Sequence, residues 1–320
     1  MLPWQLVPSV WHRFTVANHF KAALVQVSVP ATSANLGPGF DSFGLALEMR
    51  DRYAAQILDD SVIDVDVSGE GADEIKRDKN NLVIKAMMRG FEFMDAKPRG
   101  IALRQLNVIP HGRGLGSSAS AIVGGLQLAR SLVLGGDQLF SLEEMLTIAT
   151  EMEGHPDNVA AAIYGGATVA WSDDLPAPAS AHAISLTVDP RISAIIFIPE
   201  NHLATSKARK LLPESISHHD AVANSTRAAL LVQALSTRPD LLFVATQDHL
   251  HQEYRREAMP KSLALVDKLR GAGVAATVSG AGPSVLVLHA GAASEADEIM
   301  KAGGTGFSAQ KLAISPTGAY

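Results

Sequence analysis

Pro110-His-Gly-Arg-Gly-Leu-Gly-Ser-Ser-Ala-Ser120 is the stretch on which the reading of this chain turns. It follows Ile101–Ile109, which reads as a strand running straight into Pro110. It precedes Ser118–Leu134, a run of Ala, Leu, Ile and Val closed by Gly135-Gly136, whose length and terminator predict a buried helix. Gly112, Gly114 and Gly116 remove side chains where a backbone must approach a polyphosphate closely. A helix opening at Ser117 or Ser118 aims free N–H groups and its positive dipole end at the same anion. The two serine hydroxyls add groups that bind phosphate or ligate Mg²⁺. A lone glycine-rich loop would be an ordinary turn before a helix. Joined to two serines and a helix start, it predicts a phosphate-bearing ligand. The common phosphate motifs do not fit. The chain has no Gly-Lys pair, so it lacks G-x-x-x-x-G-K-[ST], and glycines at 112, 114 and 116 do not make G-x-G-x-x-G.

Upstream of the loop, Leu24–Val29 alternates, is β-branched and ends at Pro30, so it reads as a strand. Tyr53–Leu58 and Val62–Val67 are two further strands, with Asp59-Asp60-Ser61 as a turn between them. Asn81–Met94 has a helical pattern. Downstream, Ser141-Leu-Glu-Glu144 predicts a capping box opening a helix that carries Glu151. His155-Pro-Asp-Asn158 then forms a loop or cap before a short helix, Val159–Tyr164, stopped by Gly165-Gly166. Around Asp173–Ala181 the composition shifts to Asp, Pro, Ala and Ser, which predicts a domain boundary. The second half reads as strands Ala183–Val188 and Ser193–Ile198, helices Ala221–Ser236, Pro239–Arg256 and Lys261–Ala272, then strands Val274–Ser279 and Ser284–His289. This order is α+β, not a regular βαβ alternation.

The whole chain sets the bounds. At 320 residues, with 47% hydrophobic and 19% charged residues, it is long enough for two domains with cores of their own. A formal net charge of −6 gives no basic footprint for nucleic acid. The absence of cysteine excludes disulfides, thiolate metal sites and a cysteine nucleophile, and agrees with a reducing cytoplasm. No apolar run approaches the roughly 20 residues needed to span a bilayer as a helix. The first 22 residues hold Trp4, Trp11, His12, Arg13 and His19 and lack the pattern of a signal peptide, so 1–22 reads as an N-terminal extension.

Three stretches together resemble one known family. Pro110–Ser120 resembles the phosphate loop of the GHMP small-molecule kinases. Pro30-Ala-Thr-Ser-Ala-Asn-Leu-Gly-Pro-Gly-Phe-Asp41 resembles their N-terminal motif in the branch that acts on homoserine, and Ser279-Gly-Ala-Gly-Pro-Ser284 resembles their C-terminal glycine motif. Order and spacing match from about residue 24 to the end. The resemblance implies a two-domain α+β fold. Residues 23–175 would form an ATP-binding domain similar to ribosomal protein S5 domain 2, and residues 176–320 a ferredoxin-like α/β sandwich. It also implies ATP as co-substrate, Mg²⁺, a cleft site between the domains and a homodimer, with neither nucleic acid nor membrane as partner.

The same resemblance implies roles for single residues. Pro110, His111, Gly112, Arg113, Gly114, Leu115, Gly116, Ser117, Ser118, Ala119 and Ser120 would bind ATP, and Ser118 and Glu151 would hold Mg²⁺. Glu153, two positions on along a helix, would point elsewhere and be solvated. Arg209 and Arg255 would hold the acceptor carboxylate, a task suited to the guanidinium fork. Asp41 would take its ammonium, Asn35 and Asn158 would reach its hydroxyl, and His155 would line the site. Asp157, Asn158 and Arg209 form the catalytic set, with Asp157 the candidate base, although loose phosphoryl transfer asks little of one. Each residue also has a plain reading. Arg209 lies in a basic cluster and Arg255 beside Arg256, as surface cations do, while Asn35 and Asp41 could form Asx-turns. The expected reaction is phosphorylation of the L-homoserine hydroxyl by ATP, a step of threonine biosynthesis. The alternatives are another kinase of the superfamily, a diphosphomevalonate decarboxylase, or a non-catalytic nucleotide-binding regulator on the same fold.

Overall fold

A computed structural model describes residues 20–173 and 180–320. Its first half is one mixed sheet of six strands: β1 (Val25–Asn35), β2 (Gly39–Leu58), β3 (Ile63–Gly69), β4 (Gly100–Asn107), β5 (Ala167–Asp173) and β6 (Ser180–Leu186). The order is β3-β4-β2-β5-β6, with β1 antiparallel on the other edge of β2. Helices α1 (Leu82–Phe93), α2 (Ser117–Leu132), α3 (Gly136–Leu139), α4 (Leu142–Glu153) and α5 (Asp157–Tyr164) belong to this half. The alternation of β4 turns Ile101 and Leu103 inward and Arg104 outward, as the two-residue period of a strand requires. They meet Val83, Met87 and Phe91 of α1 and Ile122, Leu126 and Ala129 of α2 in one core. Each of these side chains larger than alanine contributes about 1.5–3 kcal/mol when removed from water. The predicted capping box at Ser141 and Glu144 is formed at the start of α4.

The second half is a four-stranded antiparallel sheet of order β10-β7-β9-β8, made of β7 (Ser193–Pro199), β8 (Ala276–Val278), β9 (Val285–His289) and β10 (Phe307–Leu312). Helices α6 (Thr205–Arg209), α7 (His218–Ser236), α8 (Leu242–Ala245), α9 (Pro260–Gly271) and α10 (Ala293–Met300) surround it. One face packs on α9 and α10 through Leu263, Val266, Leu269 and Ala296. The other shares a core with the first half, where Leu36, Phe43 and Leu45 meet Ile196, Leu231, Leu235 and Leu286. The two halves are therefore joined by apolar packing, and the α+β expectation holds.

Three expectations change. The boundary placed at residue 175 lies outside the described residues, but the strands on either side of it, β5 and β6, pair with each other along Ala167–Asp173 and complete the first sheet. The chain changes sheets only between Leu186 and Ser193. The helix expected over Pro239–Arg256 is broken into a 3₁₀ turn at Pro239–Leu241, α8, and a second 3₁₀ turn at Glu253–Arg255. Its breaker is Asp248, whose carboxylate accepts the N–H groups of Leu250, His251 and Gln252 and so competes with the helical pattern. Helix α10 and strand β10 are additional elements. Of the expected extension 1–22, residues 1–19 lie outside the described residues, while the Phe20 ring meets Phe91 edge-on at 5.5 Å. Among the described residues, no helix is long and apolar enough to cross a membrane.

Candidate active site

The glycine loop leaves β4 and ends on α2. Its entry is fixed from beneath by Asp51 of β2, whose Oδ1 accepts the N–H groups of Val108 (2.7 Å) and Ile109 (2.9 Å). Asp51 Oδ2 accepts the hydroxyls of Ser120 (2.9 Å) and Tyr53 (3.1 Å), so one buried carboxylate ties both ends of the loop. Burial raises the Asp51 pKa despite these four donors. Gly112, Gly114 and Gly116 all have positive φ, as the sequence reading required. Gly114 shows why: a Cβ there would stand 2.3 Å from the Ser279 carbonyl oxygen of the second half. Ser279 Oγ donates to the Gly114 carbonyl at 2.6 Å, which pins the loop to the C-terminal glycine motif. Gly116 caps α2 in the left-handed conformation with no side chain on the first N–H groups, so the helix start is open to an anion.

Two cavities flank this helix start. One, of about 310 Å³, is lined by His111, Gly112, Ser117 and Ser118 together with Tyr53, Ile75, Asn81 and Gln105. The other, of about 160 Å³, is lined by Gly112, Gly114, Gly116, Ser117 and Ser118 and by Asn35, Asp41, His155, Asp157, Asn158, Arg209 and Arg255. All the expected acceptor residues thus share a cavity with the loop. Not every loop residue faces it: Leu115, Ala119 and Ser120 are buried in the core. The Arg113 guanidinium turns away to the carbonyls of His111, Pro199 and Glu200, where it braces the loop against β7.

The pairing of Ser118 with Glu151 is overturned. Ser118 Oγ donates to Glu153 Oε2 at 2.7 Å, and Glu153 lines the cavity. Glu151 is 47% exposed and pairs with Arg89 at 3.2 Å. Two helical positions separate the glutamates by about 200°, so only one can face the loop. The face of α4 that packs on the core is set by Met145, Leu146, Ile148 and Ala149, and it turns Glu153 inward. Burial raises the Glu153 pKa.

The acceptor end brings together elements far apart in sequence. The β1–β2 turn holds Asn35, Leu36 and Asp41 at positive φ, a strained set for residues with side chains. The Asn35 amide is engaged twice: Nδ2 donates to the Gly280 carbonyl at 3.0 Å and Oδ1 accepts the Asp41 N–H. It therefore shapes the wall of the cavity that it lines, with one amide hydrogen left over. Asp41 forms a two-bond ion pair with Arg209 of α6 (2.5 and 3.0 Å), which raises the Arg209 pKa. Arg255 is 1% exposed. Its Nη1 donates to His251 Nδ1 (3.2 Å) and the Gly280 carbonyl (3.3 Å), and its Nε has no partner among the described residues. Burial, with repulsion from Arg209, pushes its pKa down to about 10.

Asp157, at the start of α5, accepts His155 Nδ1 (2.6 Å) and the Asn158 N–H and amide (2.7 and 3.2 Å), all on Oδ1. Three donors on one oxygen make it an orienting acceptor for its neighbours. Burial would lower the His155 pKa, but its hydrogen bond to Asp157 and the charges of Asp157 and Glu153 outweigh this and raise it. Asn158 Oδ1 accepts from Thr32 Oγ1 at 2.8 Å, leaving one amide hydrogen toward the cavity. The sequence reading missed Thr32, Phe40, Asp51, Glu153 and His251. The signal for Phe40 was its place between Gly39 and Asp41 in the N-terminal motif. For Glu153 it was the apolar stripe of its own helix.

Residues 81–166 match the family described as GHMP kinases N terminal domain, and residues 227–305 match GHMP kinases C terminal. The homoserine kinase of Streptomyces coelicolor is 46% identical over 94% of this chain and 95% of its own length. That of Streptomyces avermitilis is 47% identical over 94% and 96%. Among solved structures, the homoserine kinase of Cytophaga hutchinsonii superposes with a TM-score of 0.79 at 25% identity, covering 94% of this chain and 97% of that one. A mevalonate kinase of L. major shares the fold at a TM-score of 0.69 and 15% identity, covering 94% of this chain and 98% of that one. With the three motifs in order, the phosphate loop on an open helix start and a charged acceptor end in one cavity, the chain belongs to the homoserine kinases of the GHMP kinase family.

Proposed function

We infer that the chain transfers the γ-phosphoryl group of ATP to the side-chain hydroxyl of L-homoserine. The observation that carries this reading is the content of one cavity: an uncapped helix start with a glycine loop at one end, and Asp41, Arg209 and Arg255 at the other. A polyphosphate suits the first end and a small zwitterion the second. The Asp41–Arg209 pair presents one charge of each sign, so an incoming ammonium and carboxylate can take over the two partners together. Arg255, buried and with an unpartnered Nε, offers the second guanidinium to the carboxylate. Mevalonate has no ammonium to replace Arg209 on Asp41, and a sugar has neither charge.

Phosphoryl transfer is mostly positioning and charge neutralisation. The N–H groups at the start of α2 and the loop backbone would hold the phosphates. Ser118 and Glu153 fit a hard cation, since a hydroxyl and a carboxylate oxygen stand together beside the loop. They would hold Mg²⁺, which when bound neutralises charge on the phosphates. The free Asn158 amide hydrogen would orient the acceptor hydroxyl, with Thr32 and Asp157 fixing the amide. Asp157 supports His155 and Asn158 and is not needed as a strong base. The 310 Å³ cavity beside Asn81 would take the rest of the nucleotide.

The test is ADP release by the purified protein over homoserine, mevalonate, galactose and shikimate, with the product identified by phosphorus NMR. Homoserine-dependent release and a phosphoester on the side-chain oxygen are expected. ATP binding without turnover would favour a regulator, and carbon dioxide release from a diphosphorylated acid would favour a decarboxylase. A cytoplasmic, homodimeric enzyme is part of the same proposal, and sedimentation measures its mass in solution.

A further inference from the structure

His251 is fully buried between the two halves of the molecule and touches neither end of the reaction directly. Its partners fix its chemical state. Nε2 lies 2.8 Å from the Gly37 carbonyl oxygen, which can only accept, so Nε2 carries the proton. Nδ1 lies 3.2 Å from Arg255 Nη1, which can only donate, so Nδ1 carries a lone pair. The ring is therefore the neutral Nε2–H tautomer. Asp248 Oδ1, at 3.3 Å from Nε2, is on the donor side of the same ring.

One partner, Arg255, lines the acceptor cavity, and the other, Gly37, belongs to the turn that carries Asn35 and Asp41. Gly37 sits at the tip of the strained β1–β2 turn, with φ of +95°, and a Cβ there would lie 2.4 Å from the Thr246 carbonyl. Arg255 comes from the 3₁₀ turn after Asp248. The His251 ring also packs on Phe40 at 5.2 Å. Phe40 in turn has the Arg209 guanidinium at 5.3 Å and that of Arg255 at 5.6 Å from its ring centre. An electron-rich ring face near two like charges offsets part of their repulsion. Arg255 has no carboxylate within hydrogen-bonding distance among its described contacts. Its direction thus depends on neutral acceptors, His251 Nδ1 and the Gly280 carbonyl.

We propose that His251 is a positioning residue of the acceptor site: it ties the Gly37 carbonyl to the Arg255 guanidinium and thereby sets the direction from which Arg255 meets the acceptor's carboxylate. This rests on the reading of Arg255 as a carboxylate ligand. A guanidinium that swings freely gives up geometric specificity, which is the advantage of a planar fork. His251 thus acts on one substrate only, through one arginine.

His251→Phe keeps the ring and the Phe40 packing and removes both polar links. Losing the aim of one charge-assisted contact should raise the homoserine KM by about 10-fold or more, with the ATP KM unchanged within about 2-fold. His251→Asn places an amide oxygen near the Nδ1 position and should recover most of the loss. The loss should also vanish with 2-amino-1,4-butanediol, an acceptor that lacks the carboxylate. Equal increases in both KM values, or an equal loss with the carboxylate-free acceptor, would reduce His251 to a structural residue and overturn the proposal. If His251→Phe does not fold, His251→Gln is read the same way, since it reaches Gly37 and draws the acceptor away from Nη1. Arg255→Met separates the two levels. An unchanged homoserine KM in Arg255→Met removes the underlying reading. A raised one, with His251→Phe silent, removes only the role of His251.

Discussion

Replacing Arg255 by Met should separate substrate binding from stability. Arg255 is 1% exposed, and burial and the Arg209 charge pull its pKa from the ordinary guanidinium value down to about 10. At 1.36 kcal/mol per pKa unit, the charged form is disfavoured in the folded protein by about 3 kcal/mol. The sign follows from the direction: a depressed cationic pKa destabilises the folded state at neutral pH, and relief begins only as pH rises through about 10. Met fills much of the same space without charge. Against the relief stands His251 Nδ1, which loses its donor, a penalty of about 1–3 kcal/mol. Gly280 O keeps its bond from Asn35. The two terms nearly cancel, so Arg255→Met should change stability by about 1 kcal/mol or less, within about 2–4 °C in Tm. The homoserine KM should rise about 10- to 150-fold, from a lost charge-assisted contact of about 1.5–3 kcal/mol. Calorimetry without substrate and initial rates with both substrates give the two numbers. A substrate-free Tm lowered by more than about 8 °C would refute the electrostatic argument. An unchanged homoserine KM would refute the assignment.

Glu153→Gln should weaken the Mg²⁺ dependence of the rate by roughly 10-fold or more, while Glu151→Gln leaves it unaltered. A Mg²⁺ titration of both variants with the reverse ranking would return the role to Glu151. Protons compete with Mg²⁺ for the Glu153 carboxylate, whose pKa burial raises, so the Mg²⁺ concentration needed for half-maximal rate should grow as pH falls, and Glu153→Gln should remove that pH dependence. Gly114→Ala puts a Cβ against the Ser279 carbonyl at positive φ, so it should lose at least about 1–2 kcal/mol in denaturant melts and raise the ATP KM. Asp51→Asn keeps hydrogen-bonding groups at both carboxylate positions and should melt close to the parent. Asp51→Ala leaves the Ile109 N–H without its acceptor and should lose about 1–3 kcal/mol.

How much of the site was legible depended on the range of the interaction. The loop 110–120, its positive-φ glycines, the capping box at Ser141 and the short helix ending at Gly165 are local, and local chemistry is written in consecutive residues. The residues expected at the acceptor end do line one cavity, because the family motifs carried them as sets. The failures have tertiary causes. The sheet that Ser180–Leu186 joins is decided by pairing with β5, which composition near residue 175 could not reveal. The choice of Glu153 over Glu151 is decided by which face of α4 packs on α2.

The sequence alone determined an α+β chain with an anion-binding helix start and the residue types that suit ATP and a small zwitterion. Only the tertiary structure decided the partners of those residues. Asp41 and Arg209 are 168 positions apart and form an ion pair; Asn35 reaches Gly280 across 245 positions; His251 reaches Gly37 across 214. Such contacts follow from the apolar packing that joins the two sheets, and hydrophobic burial is non-directional, so no local pattern encodes which polar groups it brings face to face.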